Sequence, residues 1–113
     1  HIHMSEDKFE GVVAEAIEEA LNEYGRAVYR VIEYYLRTRH QLPIHEAPRR
    51  LREFSVALRL MFGSGAGIIE RKIALKLCEK LGVTEEPSLD TGLEACVESR
   101  KSSLSIGQRE VRG

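Results

Sequence analysis

Three glycines and a serine fall within five consecutive positions, Gly63 to Gly67, in the stretch FGSGAGIIERK of residues 62–72. Glycine-rich turns of this kind can cradle phosphate. That chemistry needs consecutive backbone N–H groups aimed into one concavity, a helix start behind them, and a lysine in reach of the outer phosphates. GSGAG matches neither GxxxxGK[ST] nor GxGxxG, and Arg71 and Lys72 come too late to serve. A dinucleotide fingerprint also leaves the end of a strand, whereas the residues ahead of Gly63 have helical spacing. The same residues suit a corner between two helices, in which Gly63 ends one, Ser64 caps the next, and Gly65, Ala66 and Gly67 allow close approach.

Other residue types capable of chemistry are scattered. His40 and His45 lie in a proline-containing segment beside Glu46, but a zinc site needs three or four ligands and no cysteine stands near them. Surface histidines are expected. Cys78 and Cys96 are the two cysteines of the chain, one on a predicted helix and one in a polar tail, and are expected to be reduced thiols. Paired acids such as Glu18 and Glu19 have no partner base and suit solvated surface. No catalytic residue, metal site or cofactor is expected, so the chain is not predicted to be an enzyme.

Charge is distributed unevenly behind a net value of −1. Residues 1–25 carry seven acids and one base, residues 26–80 carry twelve bases and five acids, and residues 81–113 carry six acids and four bases. The basic middle offers an alternative function. Arg49, Arg50, Arg52, Arg59, Arg71, Lys72 and Lys76 form a candidate nucleic-acid face that would contact phosphates without reading sequence. A helix-turn-helix is disfavoured, because the helix that would enter the groove begins AGIIERKIALK, with apolar residues where base-reading polar ones belong. A solvated basic face, or one paired with the acidic first helix, is the plainer account.

The elements that position these residues are helical. Phe9, Val12, Val13, Ala16, Ile17, Ala20, Leu21 and Tyr24 recur at steps of three and four, which predicts an amphipathic helix with Ser5 as its N-cap and acids in its first turn. Gly25 either ends or kinks it. Val28, Val31, Ile32, Tyr35 and Leu36 predict a second helix that stops before Pro43. The segment RTRHQLPIHEAP then reads as an ordered loop, with Pro48 in the first turn of a third helix whose buried stripe is Leu51, Phe54, Leu58, Met61 and Phe62. A fourth helix is predicted over 66–81, with Ile69, Ile73, Leu77 and Leu81 on one line and Ile68 and Leu75 on another, and Gly82 as its C-cap. No stretch alternates with period two, so no strand is expected.

The expectation is therefore an all-α domain, a compact bundle of four main helices over residues 5–82. Residues 83–113 form a polar tail with one possible short helix at 91–100, where Leu93, Cys96 and Val97 share a face. HIHM at the start reads as a tag remnant, residues 1–4, ahead of the natural chain. At 42% hydrophobic and 31% charged, the 113 residues have the composition of a soluble globular domain. With no apolar run near the ~20 residues of a membrane span and no signal-peptide pattern, no membrane partner and a cytoplasmic location are expected. Spare apolar surface on helices one, two or four predicts a homodimer, with Tyr29, Tyr34, Ile68 and Leu75 as interface residues.

The succession EALNEYG, VIEYYL, LPIHEAP and FSVALRLMFGSGAGIIERKIALKLCEKLG resembles the archaeal NitrOD-type domain, a small all-helical module of undefined activity. Phe62, Gly63, Gly65, Ala66, Ile69, Glu70, Ile73, Leu77, Lys80, Leu81 and Gly82 fit that family's characteristic ending, and the likeness covers about residues 16–82. It implies a stand-alone module or signalling output domain, with no catalytic residue to transfer. The preferred function is a non-enzymatic interaction module working by helix-face docking and self-association. The runner-up is nucleic-acid binding by the basic face of helices three and four.

Overall fold

The computed structural model describes residues 4–90 and 92–104, and it is all-α. Helix α1 spans Glu6–Asn22 and α2 spans Arg26–His40. A 3-10 turn, Ile44–Arg49, leads into α3, Leu51–Phe62. A second one, Gly63–Gly65, leads into α4, Ala66–Leu81, and α5 covers Leu93–Ser103. Among the described residues there is no strand, and no helix is long and apolar enough to cross a membrane. The predicted tag residues 1–3, the tail beyond Leu104 and the predicted helix start at Thr91 lie outside the described residues.

Local signals account for most of the boundaries. The Ser5 hydroxyl accepts the Lys8 backbone N–H at 3.1 Å, and Glu6 and Asp7 occupy the first turn of α1, where they favour the positive end of the helix dipole. Gly25, with φ +103°, separates α1 from α2 as a sharp corner rather than a left-handed cap. Pro48 sits inside the 3-10 turn, one step earlier than expected. Gly82 caps α4 in the left-handed conformation.

The glycine corner is a helix-to-helix turn, but its parts differ from expectation. Gly63 adopts φ +59° and ψ −134°, a region that a Cβ makes costly, and so stops α3. Ser64 caps nothing, because the 3-10 turn runs directly into α4 and backbone carbonyls of Gly63 and Ser64 receive the Ala66 N–H. Nor do glycines bring helices together here: Gly67 faces open space, while Ala66 is the buried residue of the turn.

α1 lies lengthwise along α4 as the most extensive helix pair, burying Phe9, Val13, Ala16, Ile17, Ala20 and Leu21 against Ile69, Ile73 and Leu77. Basic residues of α4 fix this pair at its edge. Lys72 and Lys76 both reach Glu23, and Lys80 reaches Glu15 and Glu19. Lys76 above all, with Lys72, holds the Glu23 carboxyl below its usual pKa, and Glu19 raises the Lys80 ammonium. α5 belongs to the same core: Leu93, Cys96 and Val97 are buried against α3 and α4. The globule therefore extends beyond Gly82 to include the helix expected as a tail feature.

On α2 the register differs from the expected stripe. Tyr29, Ile32 and Leu36 face the core, whereas Val28 and Val31 face solvent. Both sets have helical spacing, and tertiary docking selects the one that also seats Leu42, Ile44 and Ala47 of the following segment in the core. α3 keeps Leu51, Phe54 and Leu58 inside, but Phe62 at its end is exposed.

Candidate functional site

The side chains that folding leaves exposed and apolar gather at the corner where α2 passes the α3–α4 turn. Tyr24, Val28, Ile32, Phe62, Gly65, Ile68 and Ile69 line an apolar groove of about 250 Å³, and no acid or base is among its walls. Its floor is core, from Ile32 and Ile69, and its rim is Tyr24, Val28, Phe62 and Ile68. Val31, at 63% exposure, continues the rim one turn further along α2. Leu75 is exposed two turns along α4 from Ile68. Lys72 sits over the Tyr24 ring at 5.5 Å and marks the polar edge of the groove. Val56 and Leu60 make a smaller apolar strip on α3.

Four interface residues were expected, and the structure separates them. Ile68 (68% exposed), Tyr34 (61%) and Leu75 are on the surface. Tyr29 is not: it is 5% exposed, with its ring in the core, so it is unable to meet a partner. Its hydroxyl lies 3.5 Å from Glu18 Oε2, and burial first, then the charges of Glu18 and Glu33, push the phenol pKa up. Only Ile68 of the expected set lines the groove. Tyr24, Val28 and Phe62, assigned to buried stripes by spacing, are the residues missed. The signal for Val28 and Phe62 was that α2 and the end of α3 carry more apolar positions than one stripe can bury.

The candidate nucleic-acid residues form no open basic face. Arg49 meets Glu10 at 3.3 Å, Arg50 clamps Glu46 and Glu53 at 2.9 and 2.7 Å, and Arg52 meets Glu94 at 3.3 Å. Arg71 meets Glu86 at 2.6 Å, while Lys72 and Lys76 share Glu23. Arg59 lies 3.8 Å from Glu70. These partners come from α1, the first 3-10 turn, α3, α4, the 82–92 connection and α5, so the seven cations tie elements together all round the bundle. Exposed pairs of this kind add little stability, yet each places a carboxylate where a phosphate would have to go.

Glu70 is a buried acid that spacing did not flag as such. Only 3% exposed, it has Arg59 beside Oε1 and no hydrogen-bond partner for Oε2. Removing its cation should be costly. Arg59→Ala is expected to destabilise the fold by about 1–3 kcal/mol, the cost of leaving a buried polar group uncompensated. Adding Glu70→Gln should recover most of that loss, and urea unfolding of the three variants completes the cycle.

The remaining candidates stay apart. His40 packs beside Tyr35, ring centroids 5.4 Å apart, and His45 is exposed at 3.9 Å from Glu46. Among the described residues no group of three or more His, Cys, Asp or Glu side chains is placed to hold a metal ion. Cys78 and Cys96 are free and buried, and burial raises both thiol pKa values, which lowers their nucleophilicity at neutral pH. No family model, curated protein or solved structure gives a significant match to the chain.

Proposed function

We propose that the chain is a non-enzymatic helical interaction module, a cytoplasmic signalling output domain of the NitrOD type, acting through helix-face docking and self-association. The observation that carries this is the groove at the α2 and α3–α4 corner, where Tyr24, Val28, Phe62 and Ile68 expose apolar surface together. A second copy is the occupant. The ridge of Val28 and Val31 on α2 borders the groove, so a two-fold axis can seat each copy's ridge in the other's groove and form a closed, isologous contact. The groove walls carry no charge, so closing them costs no ion desolvation. In support of the family assignment, its signature residues have structural roles here: Gly63 and Gly82 stop helices, while Ala66, Ile69, Ile73 and Leu77 are core.

Light scattering tests this. The wild type should be a dimer whose association barely responds to salt, and Ile68→Glu should be a monomer of unchanged helicity whose melting temperature no longer depends on protein concentration. A wild type that stays monomeric at every concentration, or an Ile68→Glu protein that dimerises as tightly as the parent, contradicts the proposal.

A further inference from the structure

Every lysine and arginine on α3 and α4 has a carboxylate within 4.0 Å. α2 is different. Among the described residues, none of Arg26, Arg30, Arg37 and Arg39 has an acid within that distance, and all four are exposed. Tyrosines accompany three of them instead. The Arg26 guanidinium lies 4.8 Å from the Tyr29 ring centroid, Arg37 lies 5.7 Å from Tyr34, and Arg39 lies 5.7 Å from Tyr35. Helical spacing of four and seven puts Arg26, Arg30 and Arg37 on one line about 16 Å long, at 1.5 Å per residue. Val28 and Ile32, which line the apolar groove, fall on the opposite flank of the helix. The arginine line therefore stays open whether or not a second copy fills the groove.

We infer that the outer face of α2 binds single-stranded nucleic acid, with Arg26, Arg30 and Arg37 on successive phosphates and the exposed Tyr34 ring stacking on a base. Guanidinium groups beside aromatic faces are the combination that such strands require: cations track the backbone, and unpaired bases offer a π-face to the ring. A duplex keeps its bases stacked and would leave Tyr34 unused. An anionic membrane would call for a broad face of large apolar residues, and beside the arginine line stand only Ala27, Val31, Tyr34 and Thr38. Two acids border the face. Glu33 lies between Arg30 and Arg37 in sequence, and Glu18 of α1 shares a cavity with Glu33 and Arg37. Both weaken the positive potential without pairing with an arginine.

Anisotropy of a fluorescein-labelled oligothymidine of about twenty nucleotides tests the inference. Three phosphate contacts predict a salt slope near −2 and roughly twentyfold weaker binding at 200 mM than at 50 mM salt. The double variant Arg30→Glu/Arg37→Glu should lose at least about tenfold, Tyr34→Ala about fivefold or more, and Glu33→Gln should gain about twofold. Arg52→Glu/Arg71→Glu, which alters cations that are already paired, should bind like the parent. All are surface changes, and circular dichroism checks that each variant is folded. Absence of binding at low salt overturns the inference. So does an equal loss in the Arg52→Glu/Arg71→Glu control, tighter binding to duplex DNA, or binding to phosphatidylserine vesicles in place of the oligonucleotide.

Discussion

Phe54→Ala should lower stability by about 3–5 kcal/mol, the range for truncating a buried aromatic. Phe54 is fully buried on α3, and α3 packs against α2, α4 and α5 as well as both 3-10 turns. A void there removes contacts from several elements at once, and close-packed interiors relax only in part. Domains of this size hold roughly 5–15 kcal/mol in all, and each kcal/mol moves the midpoint by about 4–8 °C. Thermal melts should therefore show a drop of about 12 °C or more, with all helices unfolding together. A shift of a degree or two would mean that Phe54 does not tie these elements together.

Leu93→Ala should fail in a different way. Truncating a fully buried leucine costs about 2–5 kcal/mol, but Leu93 anchors α5, which packs chiefly against α3 and α4. Its other buried anchors are Cys96 and Val97. Pairs such as Arg52–Glu94 at 3.3 Å, Arg100–Glu85 at 3.5 Å and Lys101–Glu6 are exposed and contribute little. Undocking of one helix needs less free energy than global unfolding, so the loss should be spent locally. Hydrogen exchange should accelerate across residues 93–103 while α1–α4 stay protected. The thiols of Cys78 and Cys96 supply a second readout: burial keeps them slow to react in the parent, and maleimide labelling should quicken in the variant. Equal acceleration in all five helices would show that α5 is no separable unit.

The contrast between these two variants reflects what the sequence could reveal. α1, with its apolar stripe from Phe9 to Leu21 and a serine cap, was legible except at its end, where the helix stops at Asn22 and leaves Tyr24 exposed; the bounds of α4 between the glycine corner and Gly82 were legible too. α2 was not. Its fifteen residues contain two interleaved apolar stripes, and only contact with Leu42, Ile44 and Ala47 decides which is inside. That choice buried Tyr29 and exposed Val28, reversing the roles that spacing suggested. Phe62 escaped because a helix-terminal residue can swing to either side of the chain's turn. α5 was visible as a face of Leu93, Cys96 and Val97, but not its membership of the core, since so short an apolar face settles no partner by itself.

Charge was the harder case. Arginine density along residues 49–76 pointed to a basic surface, yet the carboxylates that neutralise it come from as far away in sequence as Glu10 and Glu94. Long-range pairing of this kind leaves no periodic trace. The free arginines of α2 were present in the same sequence without distinction, and only the inventory of partners separates them from the rest.

Self-association through the α2 and α3–α4 groove is the claim on which the functional account depends, and nuclear magnetic resonance dilution tests it most directly. Between micromolar and millimolar protein, signals of Val28, Val31, Phe62 and Ile68 should shift together and define one binding isotherm, while those of Arg52, Val56 and Leu60 on α3 stay fixed. Spectra that do not change with concentration, or changes centred on α3 or α5, would contradict it.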